Sequence, residues 1–114
     1  MKNKLKGYLA ERKIRKAFEK AGWATIRSGG SQGPADLVCL KNKTCILIQV
    51  KSTRRKTLRV ELPSMIQGFP LFIIVDFGYN RVRVFKPGEL ISWRRGLGLE
   101  AFLRSLEPSV NIIN

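Results

Sequence analysis

PADLVCLKNKTCILIQVK, residues Pro34 to Lys51, decides how this chain folds. Two apolar runs, Leu37 to Leu40 and Cys45 to Ile48, flank the polar turn from Lys41 to Thr44, the pattern of a β-hairpin. With Asn42 and Lys43 as the two loop residues, Asn42 being tolerant of a positive φ, Asp36 falls opposite Gln49. Alternation along the strands then puts Asp36, Gln49 and Lys51 on one face. A slip of one residue would turn Gln49 to the other face. Single polar residues closing a buried hairpin ordinarily mark strand ends that meet solvent. This set has a chemical fit beyond that: a carboxylate beside an amide oxygen can hold Mg²⁺, and an ammonium next to them can orient or activate a water.

The chain has 114 residues and is 44% hydrophobic, which predicts one globular domain, residues 1–114, with one core. Its 22 Lys and Arg outnumber 8 acids, for a net charge of +14. That excess predicts a polyanionic partner, nucleic acid ahead of a membrane surface. No apolar run is long enough to span a bilayer, and Met1 to Lys6 leads into no signal-peptide core. The expectation is a cytoplasmic protein with DNA within reach. There is no histidine, which removes His-based acid–base catalysis and most zinc sites. Cys39 and Cys45 fall on opposite faces in the register above, so they read as reduced thiols, neither a disulfide nor a metal pair.

Residues Lys4 to Ala21 read as an amphipathic helix with Leu5, Leu9, Ile14, Ala17, Phe18 and Ala21 on its apolar stripe and Gly22 as its stop. Glu11 lies two helical turns before Phe18 and shares that stripe. An inward acid needs a partner, and spacing alone offers Arg12 or Arg15. Trp23 to Ser28 is a short strand, and Arg27 closes it. Residues Gly29 to Pro34 form a glycine-rich loop, either a plain connector or one whose bare backbone N–H groups close over a phosphodiester. Arg54, Arg55 and Lys56 would elsewhere be a solvated charge run; beside Lys51 they favour phosphate contact.

Further on, the pattern predicts a short strand in Leu58 to Val60 and about one helical turn within Leu62 to Gln67. Leu71 to Phe77 is a central strand buried on both faces. A turn at Gly78 to Asn80 and a half-exposed strand from Arg81 to Phe85 follow. Then come a helical turn within Glu89 to Trp93 and a short helix, Leu99 to Leu106, seating Leu99, Phe102, Leu103 and Leu106 on the sheet. Pro108 to Asn114 reads as a loose tail. Asp76 reads as structural. The sum is an α/β domain: a central mixed β-sheet of about five strands flanked by helices.

Asp36 followed by Gln49-Val50-Lys51 resembles the PD-(D/E)-x-K nuclease signature, in which an Asp precedes Glu-x-Lys. Gly7-Tyr-Leu-Ala-Glu-Arg12, Gly22-Trp23, Arg27-Ser28-Gly-Gly-Ser31 and Asp36-Leu-Val38 resemble, in order and spacing, the archaeal-type Holliday junction resolvases. The resemblance covers the first half of the chain well and the rest in outline. It implies a restriction-endonuclease-like fold and a homodimer that resolves four-way DNA junctions by paired nicks. It also implies Mg²⁺ (or Mn²⁺) and products with a 5′-phosphate and a 3′-hydroxyl.

The catalytic set the resemblance implies is Glu11, Ser31, Asp36, Gln49 and Lys51. Glu11, Asp36, Gln49 and the Val50 carbonyl would hold the metal, with Lys51 helping the attacking water. Ser31 would act near the scissile phosphate, and Arg27 and Arg12 would bind the DNA backbone, joined by Arg54, Arg55 and Lys56. Two departures stand out. Gln49 occupies the family's Glu position: its amide can coordinate but carries no charge. It is a natural variant, a substitution made to trap an uncleaved complex, or the mark of a binding module without catalysis. The Leu62 to Gln67 segment is also shorter than the helix with which the resembled resolvases pair subunits. The alternative functions are a non-catalytic structure-selective DNA-binding protein and a repair- or restriction-type nuclease acting on other DNA. Lys and Arg in quantity, without a helix-turn-helix or zinc finger, suit reading by charge and shape.

Overall fold

The computed structural model describes residues 2–28 and 33–108, with the backbone alone for residues 2–4. α1 (Lys2–Lys20) leads into β1 (Ala24–Arg27), β2 (Leu37–Lys41), β3 (Thr44–Ser52), β4 (Thr57–Leu58) and β5 (Met65–Ile66). β6 (Phe69–Asp76), β7 (Val82–Phe85), β8 (Ile91–Ser92), β9 (Leu97–Gly98) and α2 (Leu99–Ser105) complete the chain. A mixed sheet runs in the order β1-β2-β3-β6-β7-β9, with β5 added to β6; β4 and β8 form a separate two-stranded ribbon. Among the described residues, β3 and β6 are the one pair that runs in parallel. The centre is carried by β1, β2, β3, β6 and β7, and the remaining strands are two-residue additions.

The hairpin that opened the sequence reading has the expected register. Leu37 pairs with Ile48 and Lys41 with Thr44, and the loop residues Asn42 and Lys43 both take positive φ, 50° and 67°. That is the primed turn whose twist matches the strands it joins. The Asp36 N–H donates to the Ile48 carbonyl at 2.7 Å and its own carbonyl accepts from Ser28 N–H at 3.0 Å. Asp36 therefore carries the pairing one residue past β2 on both sides.

The two sheet faces bury different partners. On one, Leu37, Cys39, Ile46, Ile48, Ile74 and Val84 pack under α1 (Ile14, Phe18) and α2 (Leu99, Phe102, Leu103). Phe18 meets Trp23 and Phe102 edge-on, with centroids 5.8 and 6.4 Å apart. On the other, Ile73, Val75 and Phe85 join Phe77 and Ile91 in a second core, roofed by Leu58, Val60, Leu62 and Trp93. Both cysteines are free. Cys39 lies in the helix-covered core, where burial and the neighbouring Cys45 push its thiol up to about 12.

Four local expectations change. Leu5 and Leu9 are 59% and 48% exposed, while Ala10, Ile14 and Phe18 form the buried stripe. At 3.6 residues per turn, Leu9 and Leu5 sit roughly 140° and 180° round the helix from Ile14. The expected helical turn in Leu62 to Gln67 is instead β5 and a two-residue turn. Gln67 and Gly68 take φ of 53° and 85° and fold Met65 and Ile66 back onto Pro70 and Phe69. The expected turn of helix at Glu89 to Trp93 is β8, pairing Ile91 with Leu58 and Ser92 with Thr57, which buries Ile91 in the second core. The short strand expected from Leu58 begins at Thr57 and stops at Leu58, before Val60. Of the expected tail, residues 109–114 lie outside the described residues. Asp76 has the structural role expected: it accepts Lys13 Nζ at 3.0 Å and Gly78 N–H at 2.8 Å.

Candidate active site

The site grows from the point where the chain enters β2. Asp36 Oδ2 accepts the Val50 N–H at 2.7 Å and the Gln49 side-chain amide at 3.1 Å. A backbone N–H and C=O of one strand residue point to the same side. The Val50 carbonyl therefore also faces the gap left where β2 gives way to its entry loop. By alternation Gln49 and Lys51 share the face opposite α1, since Ile48 and Val50 belong to the helix-covered core. Lys51 is half-buried and makes no hydrogen bond or ion pair among the described residues.

Burial pushes the Asp36 carboxyl above its ordinary 3.8; the Val50 N–H pulls against this, the Glu11 charge adds to it, and the Lys51 charge subtracts. Glu11 and Lys51 are thus both electrostatic neighbours of Asp36, reached from the helix and from β3. The direct partner of Glu11 is neither Arg12 nor Arg15. Arg27, at the end of β1, donates from Nε to Glu11 Oε2, and the pair holds the Glu11 side chain at 16% exposure. Sequence spacing within one helix could not reveal a partner supplied by a strand. The Arg27 guanidinium also lies 5.8 Å from the Tyr8 ring centroid. Arg12 is exposed, free to meet a ligand. Ser31 lies outside the described residues.

The Asp36 carboxylate, the Gln49 amide oxygen and the Val50 carbonyl are oxygen donors, the kind that suits Mg²⁺ or Mn²⁺, and Glu11 is a second carboxylate within electrostatic reach. No three His, Cys, Asp or Glu side chains gather among the described residues. The donors fit a hard cation with few anionic ligands.

A second charged region adjoins the first. Arg54, Arg55 and Lys56 follow β3 after Thr53, and the basic run gathers with Arg81 and Arg94 around Trp93 and Tyr79. The two aromatics were not singled out from sequence; the usable signal was Trp93-Arg94-Arg95, an aromatic set in basic residues.

The family model of the archaeal Holliday junction resolvase (Hjc) matches residues 2–96. The chain belongs to that family. Its fold is restriction-endonuclease-like, and solved structures agree. Hjc, a Holliday junction resolvase of the archaeal hyperthermophile Archaeoglobus fulgidus, superposes with a TM-score of 0.63 at 21% identity, over 85% of this chain and 99% of that one. A bacterial homing endonuclease gives 0.52 at 22% identity, over 73% of this chain and 64% of that one. The resolvase family is one of nucleases, and among the described residues no helix is long and apolar enough to cross a membrane.

Proposed function

We propose that this chain is a single-domain, metal-dependent, structure-selective DNA endonuclease. It resolves four-way junctions by paired nicks as a homodimer in the cytoplasm. The observation that carries this reading is the gathering of the Asp36 carboxylate, the Gln49 amide and the Val50 N–H, with Glu11 and Lys51 as charged neighbours, at the mouth of the β3 strand.

Asp36, Glu11, the Gln49 amide oxygen and the Val50 carbonyl would hold Mg²⁺ or Mn²⁺. Bound there, the ion supplies Lewis acidity toward the phosphate and a water of lowered pKa. Lys51, a charged neighbour of Asp36, orients the attacking water against the phosphorus. The Gln49 NH₂ group, engaged by Asp36, leaves its Oε1 for coordination. Arg27 keeps Glu11 aligned and offers the rest of its guanidinium to the DNA backbone. Ser31 acts near the scissile phosphate, and Arg12 with Arg54, Arg55 and Lys56 neutralises flanking phosphates. Hydrolysis leaves a 5′-phosphate and a 3′-hydroxyl. A dimer sets two such sites on two opposed strands.

The test uses end-labelled four-way junction, linear duplex and single strand, each with Mg²⁺, Mn²⁺ or chelator. Paired nicks on the junction, present only with metal, are expected. Cutting that ignores the branch would replace junction resolution with a duplex nuclease. One observation favours a second reading: Gln49 is neutral and already bonds Asp36, so the site satisfies itself without a cation. Tight junction binding with no cleavage, unrescued by Gln49→Glu, would make the protein a structure-selective binder.

A further inference from the structure

The sheet face that carries Gln49 and Lys51 continues into a pocket of a different kind. Lys51 pairs with Val75 across β3 and β6, and Val75 belongs to the second core, against which Trp93 packs. Beyond the carboxyl ends of these two parallel strands, Arg54 to Lys56 and the turn carrying Tyr79 line a cavity of about 280 Å³ with Arg81 and Trp93. Arg81, Arg94 and Lys56 stand 4.9, 5.3 and 5.5 Å from the Trp93 ring centroid. Arg54 stands 6.0 Å from the Tyr79 ring.

Trp93 is anchored. Its backbone N–H donates to the Lys56 carbonyl at 2.8 Å, and its backbone carbonyl accepts from the Arg81 guanidinium at 3.0 Å. Tyr79 is not: the residue is 90% exposed, on a backbone with φ of 53°. Among the described residues the partner of that ring is the Arg54 guanidinium. Arg54, Arg55, Lys56, Arg81 and Arg94 form no ion pair among the described residues, and no acid lines the cavity. Four like charges line this opening, with Arg94 beside them against the Trp93 ring, and together they attract an anion. Two aromatic side chains there, one of them on a largely exposed residue, call for a flat ring attached to it.

We propose that this cavity is a stacking site for an unpaired nucleotide. The base lies against Tyr79 and Trp93 while the flanking phosphates meet Arg54, Arg55, Lys56 and Arg94. The proposal rests on the reading of the chain as a DNA-junction enzyme and deepens it. A duplex hides its base faces in the stack, so such a site rewards strands that have left it. Arg54 is three residues past Lys51, at most about 10 Å of extended chain. The captured nucleotide would therefore sit close along the strand to the bond facing Lys51. It would mark where the branch point is held.

The experiment compares three labelled DNAs in chelator: a linear duplex, the same duplex with a two-thymine bulge, and the same with an abasic bulge. Fluorescence anisotropy should show the wild type binding the thymine bulge about tenfold more tightly than the abasic one. Tyr79→Asn, which removes the ring and suits the positive φ, and Trp93→Ala should erase that preference. Circular dichroism reports whether Trp93→Ala is folded; if it is not, Tyr79→Asn decides, its ring having no core to disturb. Equal wild-type affinity for both bulges, or losses by Tyr79→Asn that are the same on all three DNAs, would overturn the site. Junction cleavage with Mg²⁺ is measured on the same wild-type preparation. A protein that prefers the thymine bulge but cuts nothing keeps the stacking site and loses the nuclease reading. One that cuts junctions but ignores the bulged base does the reverse.

Discussion

The two faces of the sheet have been put to different uses. The helix-covered face is closed: Ile14, Phe18, Leu37, Ile48, Phe102 and Leu103 fill it with hydrocarbon. The opposite face is closed only under the second core. Where β3 emerges from it, Gln49 and Lys51 lie half-buried, and a carboxyl is held above its ordinary pKa by its surroundings. A fold spends its stability on the first face and tolerates unfavourable electrostatics on the second. The contrast makes a separable prediction: substitutions on the closed face should move stability, and those at the open end should move chemistry.

The largest effect should come from Phe18→Ala. The ring is wholly buried between Trp23 and Phe102, and such truncations cost about 3–5 kcal/mol. Thermal melts should show a large fall, whereas Leu9→Ser, on the exposed side of the same helix, should stay within about 0.5 kcal/mol. A small effect from Phe18→Ala would break the division between faces. The next effect belongs to Asp36→Asn. It should remove metal-dependent cutting by more than about a hundredfold, beyond what outer partners of a metal site contribute. It should leave junction binding in chelator intact, because Asn Oδ1 can still accept the Val50 N–H. Loss of fold together with activity would move Asp36 from the second group to the first.

What could be read from the sequence follows the same line. The hairpin register was legible because a two-residue turn and strict alternation leave one solution, and it brought Asp36 to Gln49 correctly. β6 was legible as an unbroken apolar run. Short pieces were not. Met65–Ile66 and Ile91–Ser92 are strands only because β6 and β4 offer pairing edges, a tertiary fact that two residues cannot encode locally. The Arg27 partner of Glu11 was hidden for the same reason, since it lies across an element boundary. Leu5 and Leu9 misled in the other direction: apolar residues near helical spacing were counted as inward, although the angular arithmetic places them off the Ile14 stripe.

Gln49→Glu sharpens the comparison by adding charge at the open end alone. It replaces the amide that donates to Asp36 with a second carboxylate, so the metal-free protein gains repulsion and the metal-bound form gains a ligand. Even in a screened site, one added charge near 4 Å is worth more than 1 kcal/mol. Isothermal titration should therefore show Mg²⁺ affinity rising at least about tenfold, with a lower melting temperature in chelator. No change in affinity would remove Gln49 from the cation site.

The smallest effect is a matter of sign in pH. Desolvation, then the Glu11 charge, hold the Asp36 carboxyl above 3.8, against the Val50 N–H and Lys51. The folded protein therefore keeps the Asp36 proton at pH values where the unfolded chain has released it. With more protons bound in the folded state, stability falls as pH rises through the window that begins at the ordinary value and ends at the raised one. Asp36→Asn should flatten that fall, leaving the variant as stable as the wild type at acid pH and no less stable at neutral pH. Cation binding runs the opposite way, because only the ionised carboxylate is a ligand. Free Mn²⁺ followed by electron paramagnetic resonance should show affinity vanishing, as pH falls, earlier than an ordinary aspartate would allow. Removing Glu11 as Glu11→Gln takes away the charge that adds to desolvation in raising Asp36, so the midpoint of that loss should move to lower pH even as the affinity itself weakens. A midpoint that stays in place would mean that Glu11 does not act on Asp36, and the helix would then belong wholly to the closed face.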